Sequence, residues 1–269
     1  DAAARGWRPG MGINFLSSRL PAPYDANSWM GAHVAHAVVD VCTGVDEKPG
    51  EHNFFRVAEV PEGLDPLTAS LTQLGGVALR GIEMATIKAG TTVLVVGAGV
   101  IGQFAAQICR LKGAQVMVTD IQADRLAIAA RCGAEWTVNS STEDLLKTAA
   151  ATVPGGFAVI IDTSSIPAVV NRVMPLLRTW GTFVFQGWYP PPSGLDLDAI
   201  QGRMATCIFP SGHTGTHVSA AMRLVRDGRI DCRSLLTRAL RPDEAPTFYR
   251  HMAESSDAFL GAAIDWRKP

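Results

Sequence analysis

The sequence predicts an α/β protein built on a doubly wound parallel sheet, with a smaller β lobe formed by its two ends. Three observations support this. Between residues 92 and 209 short apolar runs alternate with helical stretches. The runs are unbroken rather than alternating, as expected of strands covered on both faces. On either side the grammar changes to Gly-, Pro- and Ser-rich segments with isolated strands. The domains therefore divide as 1–73 with 211–269, and 74–210.

Residues 1 to about 35, including RPGMGINFLSSRLPAPYDANSWMG (8–31), read as an irregular lobe with short strands. HVAHAVVDV (33–41) is β-branched and alternating, 44–52 is a loop, and 54–61 is a further strand. A small-residue helix covers 68–87, broken at Gly75-Gly76. The alternating region follows: strand 92–97, helix 101–112, strand 115–120, helix 123–132, strand 135–139, helix 142–151, strand 157–163, helix 167–178, and strands 181–187 and 205–209. Ser140 with Glu143 can form a capping box, Ser165 precedes Pro167 at a helix start, and Gly113 and Gly133 fall where helices stop. Beyond Pro210 come helix 216–227, strand 235–240, helix 243–254 and strand 259–266, a return to the first lobe.

Composition narrows the function classes. Of 269 residues 47% are hydrophobic and 18% charged, enough for a large core and too apolar for bulk disorder. The net charge of -1 comes from 24 scattered basic and 25 acidic residues, so no field invites nucleic acid. Five cysteines, at 42, 109, 132, 207 and 232, form no CxxC pair, which argues against a disulfide framework or thiolate zinc knot and fits a reducing cytoplasm. No apolar run is long enough to span a bilayer. No apolar core follows Arg5, Arg8 and Pro9, so no secretory leader is expected.

The chemistry-bearing motif is VLVVGAGVIGQFAAQ, which holds Gly97, Gly99, Val100, Ile101 and Gly102. Three spaced glycines alone are weak evidence; here they follow a buried strand and open a helix, the context that phosphate binding requires. Gly97 permits the tight turn, Gly99 the approach of a pyrophosphate, and Gly102 close packing of helix on strand. The helix N-terminus then attracts the phosphates. Asp120 ends the next strand, where a carboxylate accepts hydrogen bonds from ribose hydroxyls and repels a 2′-phosphate. NAD(H) is expected over NADP, with Arg125, one turn further on, able to soften that preference. Together these features make a Rossmann dinucleotide-binding unit.

LTQLGGVALRGIEMATIKAGTTVLVVGAGVIGQFAAQICRLKGAQVMVTDIQADRLAIAARCGAEWTVN (71–139) resembles the medium-chain dehydrogenase/reductase superfamily of zinc-type alcohol dehydrogenases. RPGMGINF (8–15), GAHVAHAVVD (31–40) and IDCRSLLTRALRPDEAP (230–246) resemble segments of its first lobe and its C-terminal return. The resemblance implies a GroES-like catalytic lobe, shortened here, beside the Rossmann domain, with nicotinamide-dependent hydride transfer between them. By position it implies that Gly76, Val100, Ile101, Asp120, Arg125, Thr163, Gln186 and Trp188 line the cofactor. The superfamily's catalytic zinc ligands would lie before Arg8 and near Thr72, and threonine is a poor zinc ligand. No metal ligands are therefore expected from this chain. GWRPG (6–10), QGWY (186–189), GRI and LLT within 228–237, and IDWR (264–267) resemble the bacteriochlorophyllide dehydrogenase branch, which oxidises a hydroxyethyl side chain on a chlorin.

Two catalytic candidates remain. Thr72 stands where a zinc ligand is vacant, and its hydroxyl would bond either the substrate oxygen or its own helix backbone. His213, in PSGHTGTH, follows the last sheet strand and would either relay a substrate proton or cap the next helix. His33 and His36 would face opposite sides of a strand and make a poor metal pair. Trp188 and Tyr189, before three prolines, would wall an apolar substrate pocket or close the lobe interface. Ser164-Ser165 lack a nucleophile elbow, which disfavours a hydrolase. The expectation is an NAD-dependent, zinc-independent oxidoreductase acting on a secondary alcohol or carbonyl, cytoplasmic, and homodimeric through the apolar edge strand 205–209. Its rivals are a zinc-dependent alcohol or polyol dehydrogenase with ligands in a missing N-terminal segment, a non-catalytic NAD(H) sensor, and an NADPH-dependent double-bond reductase.

Overall fold

The structure, a computed structural model, describes residues 8, 10–14, 18–19, 27–28, 58–189, 191, 193–210, 215–254 and 259–267. Short strands β1 (Ile13–Asn14), β2 (Ser18–Arg19), β3 (Asn27–Ser28) and β4 (Ala58–Glu59) precede helices α1 (Pro66–Ser70) and α2 (Thr72–Met84). Then come β5 (Thr92–Val96), α3 (Val100–Leu111), β6 (Gln115–Asp120), α4 (Ala123–Arg131), β7 (Trp136–Asn139), α5 (Leu145–Thr152), β8 (Phe157–Asp162), α6 (Pro167–Val173), β9 (Leu177–Phe185), α7 (Leu197–Gly202) and β10 (Thr206–Ile208). The last elements are α8 (Gly215–Arg226), β11 (Leu236–Leu240), α9 (Ala245–Glu254) and β12 (Gly261–Ile264). The chain forms two compact units, 1–76 with 212–269, and 77–211.

In the unit 77–211 six parallel strands run in the order β10-β9-β8-β5-β6-β7. The order reverses between β5 and β8, so the crossover helices leave to opposite sides and a crevice opens at the carboxyl ends of those two strands. Apolar residues face both ways along each central strand. Leu94 and Val95, Met117 and Val118, and Phe183 and Val184 are all fully buried, and every position of β8 is buried. On one face Leu94, Met117, Ile160 and Phe183 pack with Leu145, Ala149, Val170, Val173 and Met174 from the α5 and α6 side. The helix-stop glycines behave as read: Gly113 and Gly133 take φ of +78° and +94°.

Three local readings are corrected. The helix expected to break at Gly75-Gly76 runs unbroken through both from Thr72 to Met84; the break comes earlier, at Leu71, between α1 and α2. Buried Ala78, Leu79 and Ile82 on α2 outweigh the helix penalty of the glycines, about 1 kcal/mol each. Helix α5 begins at an Asp144 cap, whose carboxylate accepts from the Leu146 and Lys147 amides, rather than at a Ser140–Glu143 box. Glu143 instead accepts from the Asn139 amide. Helix α6 stops at Val173, because Pro175 withdraws an amide and tightens the chain into a 3-10 turn, Met174–Leu176.

The other unit is built from small pairings: β1 with β4 and β2 with β3, both antiparallel, and β11 with β12, parallel. Ala58, Val218 and Met222 form a buried cluster there, with Val60 and Leu64 against it. The strand expected over 33–41, and most of that over 54–61, lie outside the described residues.

Candidate functional site

The three glycines of the turn after β5 are required for different reasons. Gly97 takes φ +92°, a conformation that side chains resist, and its amide donates to the Thr119 carbonyl at 2.8 Å. A Cβ on Gly102 would stand 1.9 Å from the Gly97 carbonyl oxygen, so α3 can rest on the turn only if that position is bare. Gly99 meets neither condition. Its φ of -66° and ψ of 179° suit any residue, and nothing in the chain lies within 4 Å of the place a Cβ would take. Gly99 caps α3, no side chain caps the helix, and the residue lines an open cleft. The chain itself does not demand this glycine; with no side chain there, the first amides of α3 stay open to an approaching anion.

Asp120 closes β6 beside that turn. Its Oδ2 accepts from the Ala98 amide at 2.6 Å and its Oδ1 from the Gln122 amide at 2.9 Å. Each oxygen retains a further lone pair for a ligand hydroxyl. The acid thus fixes the glycine turn and faces the cleft at once. Thr163, after β8, shares its hydroxyl between the Val96 and Gly97 carbonyls at 2.9 and 3.1 Å, and its amide donates to Val96. It ties the two strands together across the crevice.

These residues surround a cleft of about 300 Å³. Gly97, Gly99 and Thr163 lie at one end, and Asp120, Ile121, Arg125 and Ser140 form one side. Ser164, Ile166, Val169 and Arg172 form the other. The lining is largely apolar, with Asp120, Arg125 and Arg172 as its charged residues, a composition suited to an adenosine.

The loops after β8 and β9 are laced together. Fully buried Asp162 accepts hydrogen bonds from the Tyr189 hydroxyl, from Ser164 Oγ at 2.7 Å and from the Ser165 amide at 3.3 Å. Burial pushes its carboxyl above the usual range, while the bonds from Tyr189 and Ser164 pull it back. The Tyr189 hydroxyl is raised in turn, first by its own burial and then by the Asp162 charge. The amides of Gln186 and Gly187 both donate to the Asp162 carbonyl at 3.0 Å, and that of Trp188 donates to Ser165 Oγ at 3.0 Å. Ser165 takes φ +60°, and a Cβ on Gly187 would lie 2.8 Å from its amide nitrogen. Tyr189 also packs edge-on against Phe185, so it belongs to this lacing and not to an open pocket wall.

Of the residues read from the sequence, Gly97, Gly99, Asp120, Arg125 and Thr163 come together in the cleft, with Gly102 buried beneath it. Val100 and Ile101 form the first turn of α3, and Gly76 is buried in α2. Trp188 is 80% exposed and Gln186 buried; neither lines the cleft. Thr72 is fully buried and donates its hydroxyl to the Ala69 carbonyl at 2.6 Å, the backbone alternative of the two considered. His213, His33 and His36 lie outside the described residues. Sequence reasoning missed Ile121, Ser140, Ile166, Val169 and Arg172. Residues 166, 169 and 173 do carry an apolar stripe at helical spacing, but only the sheet order shows which cavity it lines.

A nicotinamide adenine dinucleotide fits these residues: the bare position at Gly99, the uncapped start of α3 and the strand-end acid each match a part of it. Among the described residues no three His, Cys, Asp or Glu side chains converge, and Thr72 offers its hydroxyl proton to its own backbone.

Comparison with known proteins agrees with this geometry. The pattern of the zinc-binding dehydrogenase family matches residues 100–223. The “Probable alcohol dehydrogenase adh” of Mycobacterium tuberculosis is 30% identical over 245 residues, 83% of this chain and 67% of that protein. The L-galactonate-5-dehydrogenase of Escherichia coli K12 is 30% identical over 178 residues, 65% of this chain and 52% of that one. Among solved structures, a candidate zinc-binding dehydrogenase of Sinorhizobium meliloti 1021 bound to NADP superposes with a TM-score of 0.69 at 27% identity, over 78% of this chain and 62% of that one. An alcohol dehydrogenase of Escherichia coli CFT073, complexed with NADH, superposes with a TM-score of 0.68 at 20% identity over 78% and 61%, a likeness of fold. The chain spans about half to two thirds of the length of the curated relatives it matches.

Proposed function

Because the chain belongs to the zinc-type alcohol dehydrogenases of the medium-chain dehydrogenase/reductase superfamily, we propose that it is an oxidoreductase using NAD(H) on a small secondary alcohol or carbonyl compound. The observation that carries the reading is the convergence of Gly99, the uncapped start of α3 and Asp120 on one cleft. When bound, the nicotinamide ring supplies a two-electron donor or acceptor for a substrate carbon. The chain's own residues do the rest. The first amides of α3 hold the diphosphate, Asp120 takes the adenosine ribose hydroxyls, and Ile121, Ile166 and Val169 flank the adenine. Thr163 and the Asp162–Tyr189 bond keep the supporting loops in place. For the alcohol proton we retain His213 as the candidate, on its place just after β10 in the sequence.

The substrate is proposed at two levels. A secondary alcohol or carbonyl is the broader case, supported by the alcohol and sugar-acid dehydrogenases among the relatives; a hydroxyethyl chlorin is the narrower case motivated by GWRPG, QGWY and IDWR. A second cofactor reading, NADP(H), draws on Arg125 and Arg172 at the rim of the adenosine cleft and on the NADP-bound relative from Sinorhizobium meliloti.

Calorimetric titration with NADH and NADPH, followed by turnover of NAD on a panel of secondary alcohols that includes a hydroxyethyl chlorin, tests these statements. Tighter NADH binding with turnover is expected. Tight binding with no turnover on any substrate would turn the reading toward a sensor, and preference for NADPH would overturn the cofactor assignment.

A further inference from the structure

Gln103 lies in the first turn of α3 and is fully buried. Its side-chain nitrogen donates to two backbone carbonyls, that of Arg125 at 2.8 Å and that of Ala98 at 3.3 Å. Its oxygen is buried too and, among the described residues, accepts no hydrogen bond. A buried oxygen without a donor is destabilising, and a Met or Leu would fill the same space without that penalty. The amide nitrogen is therefore the part that the place requires. Both of its partners are acceptors, so the bridge needs two N–H groups on one atom. Lysine would also supply them, but with a charge that burial opposes.

The bridge runs beneath the adenosine side of the cleft. Ala98 belongs to the glycine turn, and its amide donates to Asp120 Oδ2 at 2.6 Å. Asp120 Oδ1 accepts from the amide of Gln122, the residue that caps α4, and Arg125 stands in the first turn of that helix. Gln103 thus closes a ring that leads from the turn through Asp120 and α4 back to the turn. Asp120 and Arg125, the charged groups on this side of the cleft, both belong to the ring. A carboxylate repels a ribose 2′-phosphate and a guanidinium attracts one, so their relative placement sets how the site ranks the two riboses. We propose that Gln103 is a positioning residue for the adenosine end of the cofactor. It touches no ligand; it holds the start of α4 against the glycine turn and so fixes Arg125 relative to Asp120. This rests on the dinucleotide reading above.

The test is a double-mutant cycle on the full chain: wild type, Gln103→Met, Arg125→Ala and the double variant, with Gln103→Leu as a second replacement. Calorimetry gives the affinity for ADP-ribose and, by competition where binding is weak, for its 2′-phosphate; urea denaturation shows that each protein is folded. Gln103→Met should bind ADP-ribose within about threefold of the wild type and the 2′-phosphate about tenfold more weakly, because an untethered guanidinium loses more freedom in closing on a phosphate. In the Arg125→Ala background the same replacement should change the ratio of the two Kd values by less than about threefold. A packing role alone would move both backgrounds alike. An unchanged ratio in Gln103→Met, an equal change in both backgrounds, or no binding of the 2′-phosphate to the wild type would overturn this inference alone. Failure of both Gln103 variants to fold would also overturn it, by assigning the amide to the core. Failure of the wild type to bind ADP-ribose would instead overturn the dinucleotide reading.

Discussion

Replacing Gly99 and Gly102 separately by alanine divides ligand binding from folding. At Gly102 the new Cβ would lie 1.9 Å from the Gly97 oxygen and 2.9 Å from its carbonyl carbon, both backbone atoms with no side chain to swing away. Overpacking of this kind costs about 1–3 kcal/mol. At Gly99 the backbone already suits alanine, and the site is open. Restricting the unfolded chain there stabilises by about 0.4–1 kcal/mol, while alanine at a helix N-cap costs about 0.5–1 kcal/mol. The two nearly cancel. The methyl group would, however, keep a diphosphate from the α3 amides. Losing two hydrogen bonds to a charged group removes about 3 kcal/mol or more, on the order of a hundredfold in Kd. Urea denaturation of the free proteins and calorimetry with ADP-ribose read both effects. Gly102→Ala should be destabilised, and Gly99→Ala should be as stable as the wild type and nearly unable to bind. A Gly99→Ala protein that binds within about threefold of the wild type would refute the assignment of the phosphate site.

Three further outcomes follow from the same geometry. Asp120→Ala should weaken NADH by about 10- to 100-fold through loss of charge-assisted bonds to the ribose, and should narrow any preference over NADPH; an unchanged ratio of the two Kd values contradicts the role given to the acid. Tyr189→Phe removes a bond that favours ionised Asp162. Because the folded-state carboxyl is already raised by burial, its contribution to stability is greatest at low pH and falls as pH rises through the raised value. The variant pushes that carboxyl higher still, so its deficit should be smaller near about pH 4, at the unfolded carboxyl value, and reach about 1.5–3 kcal/mol near neutral pH. Equal deficits in urea at both pH values would contradict the pair. Finally, β10 ends the sheet with Thr206 and Cys207 exposed on a strand that, among the described residues, is paired on one side only, so a homodimer through this edge is expected. Light scattering at micromolar concentration should give twice the chain mass, and a monomer would count against it.

The parts of the fold that could be read in the sequence are those whose causes are local. Strand β5, the glycines and Asp120 lie within thirty residues, and each is demanded by its neighbours or by a ligand touching them, so pattern alone placed them. Glycines at the ends of α3 and α4 were readable for the same reason. The errors arose where tertiary packing decides. The glycine pair in α2 reads as a break, yet a buried helix face overrides it. Four candidate caps crowd residues 140–144, and only the geometry shows that Asp144 takes the helix. Pro175 did carry a usable signal for the end of α6, which periodicity obscured. The far wall of the cleft, Ile166 to Arg172, belongs to the site only because β8 lies beside β5, a crossover that sequence order conceals. Tyr189 likewise shows its role only through Asp162, 27 residues earlier.

The most direct test is a crystal structure of the chain with ADP-ribose. The diphosphate should lie within hydrogen-bond distance of the amides at the start of α3, with a ribose hydroxyl on Asp120 and the adenine between Ile121 and Ile166. Density for the ligand elsewhere, or a side chain filling the space above Gly99, would contradict the account.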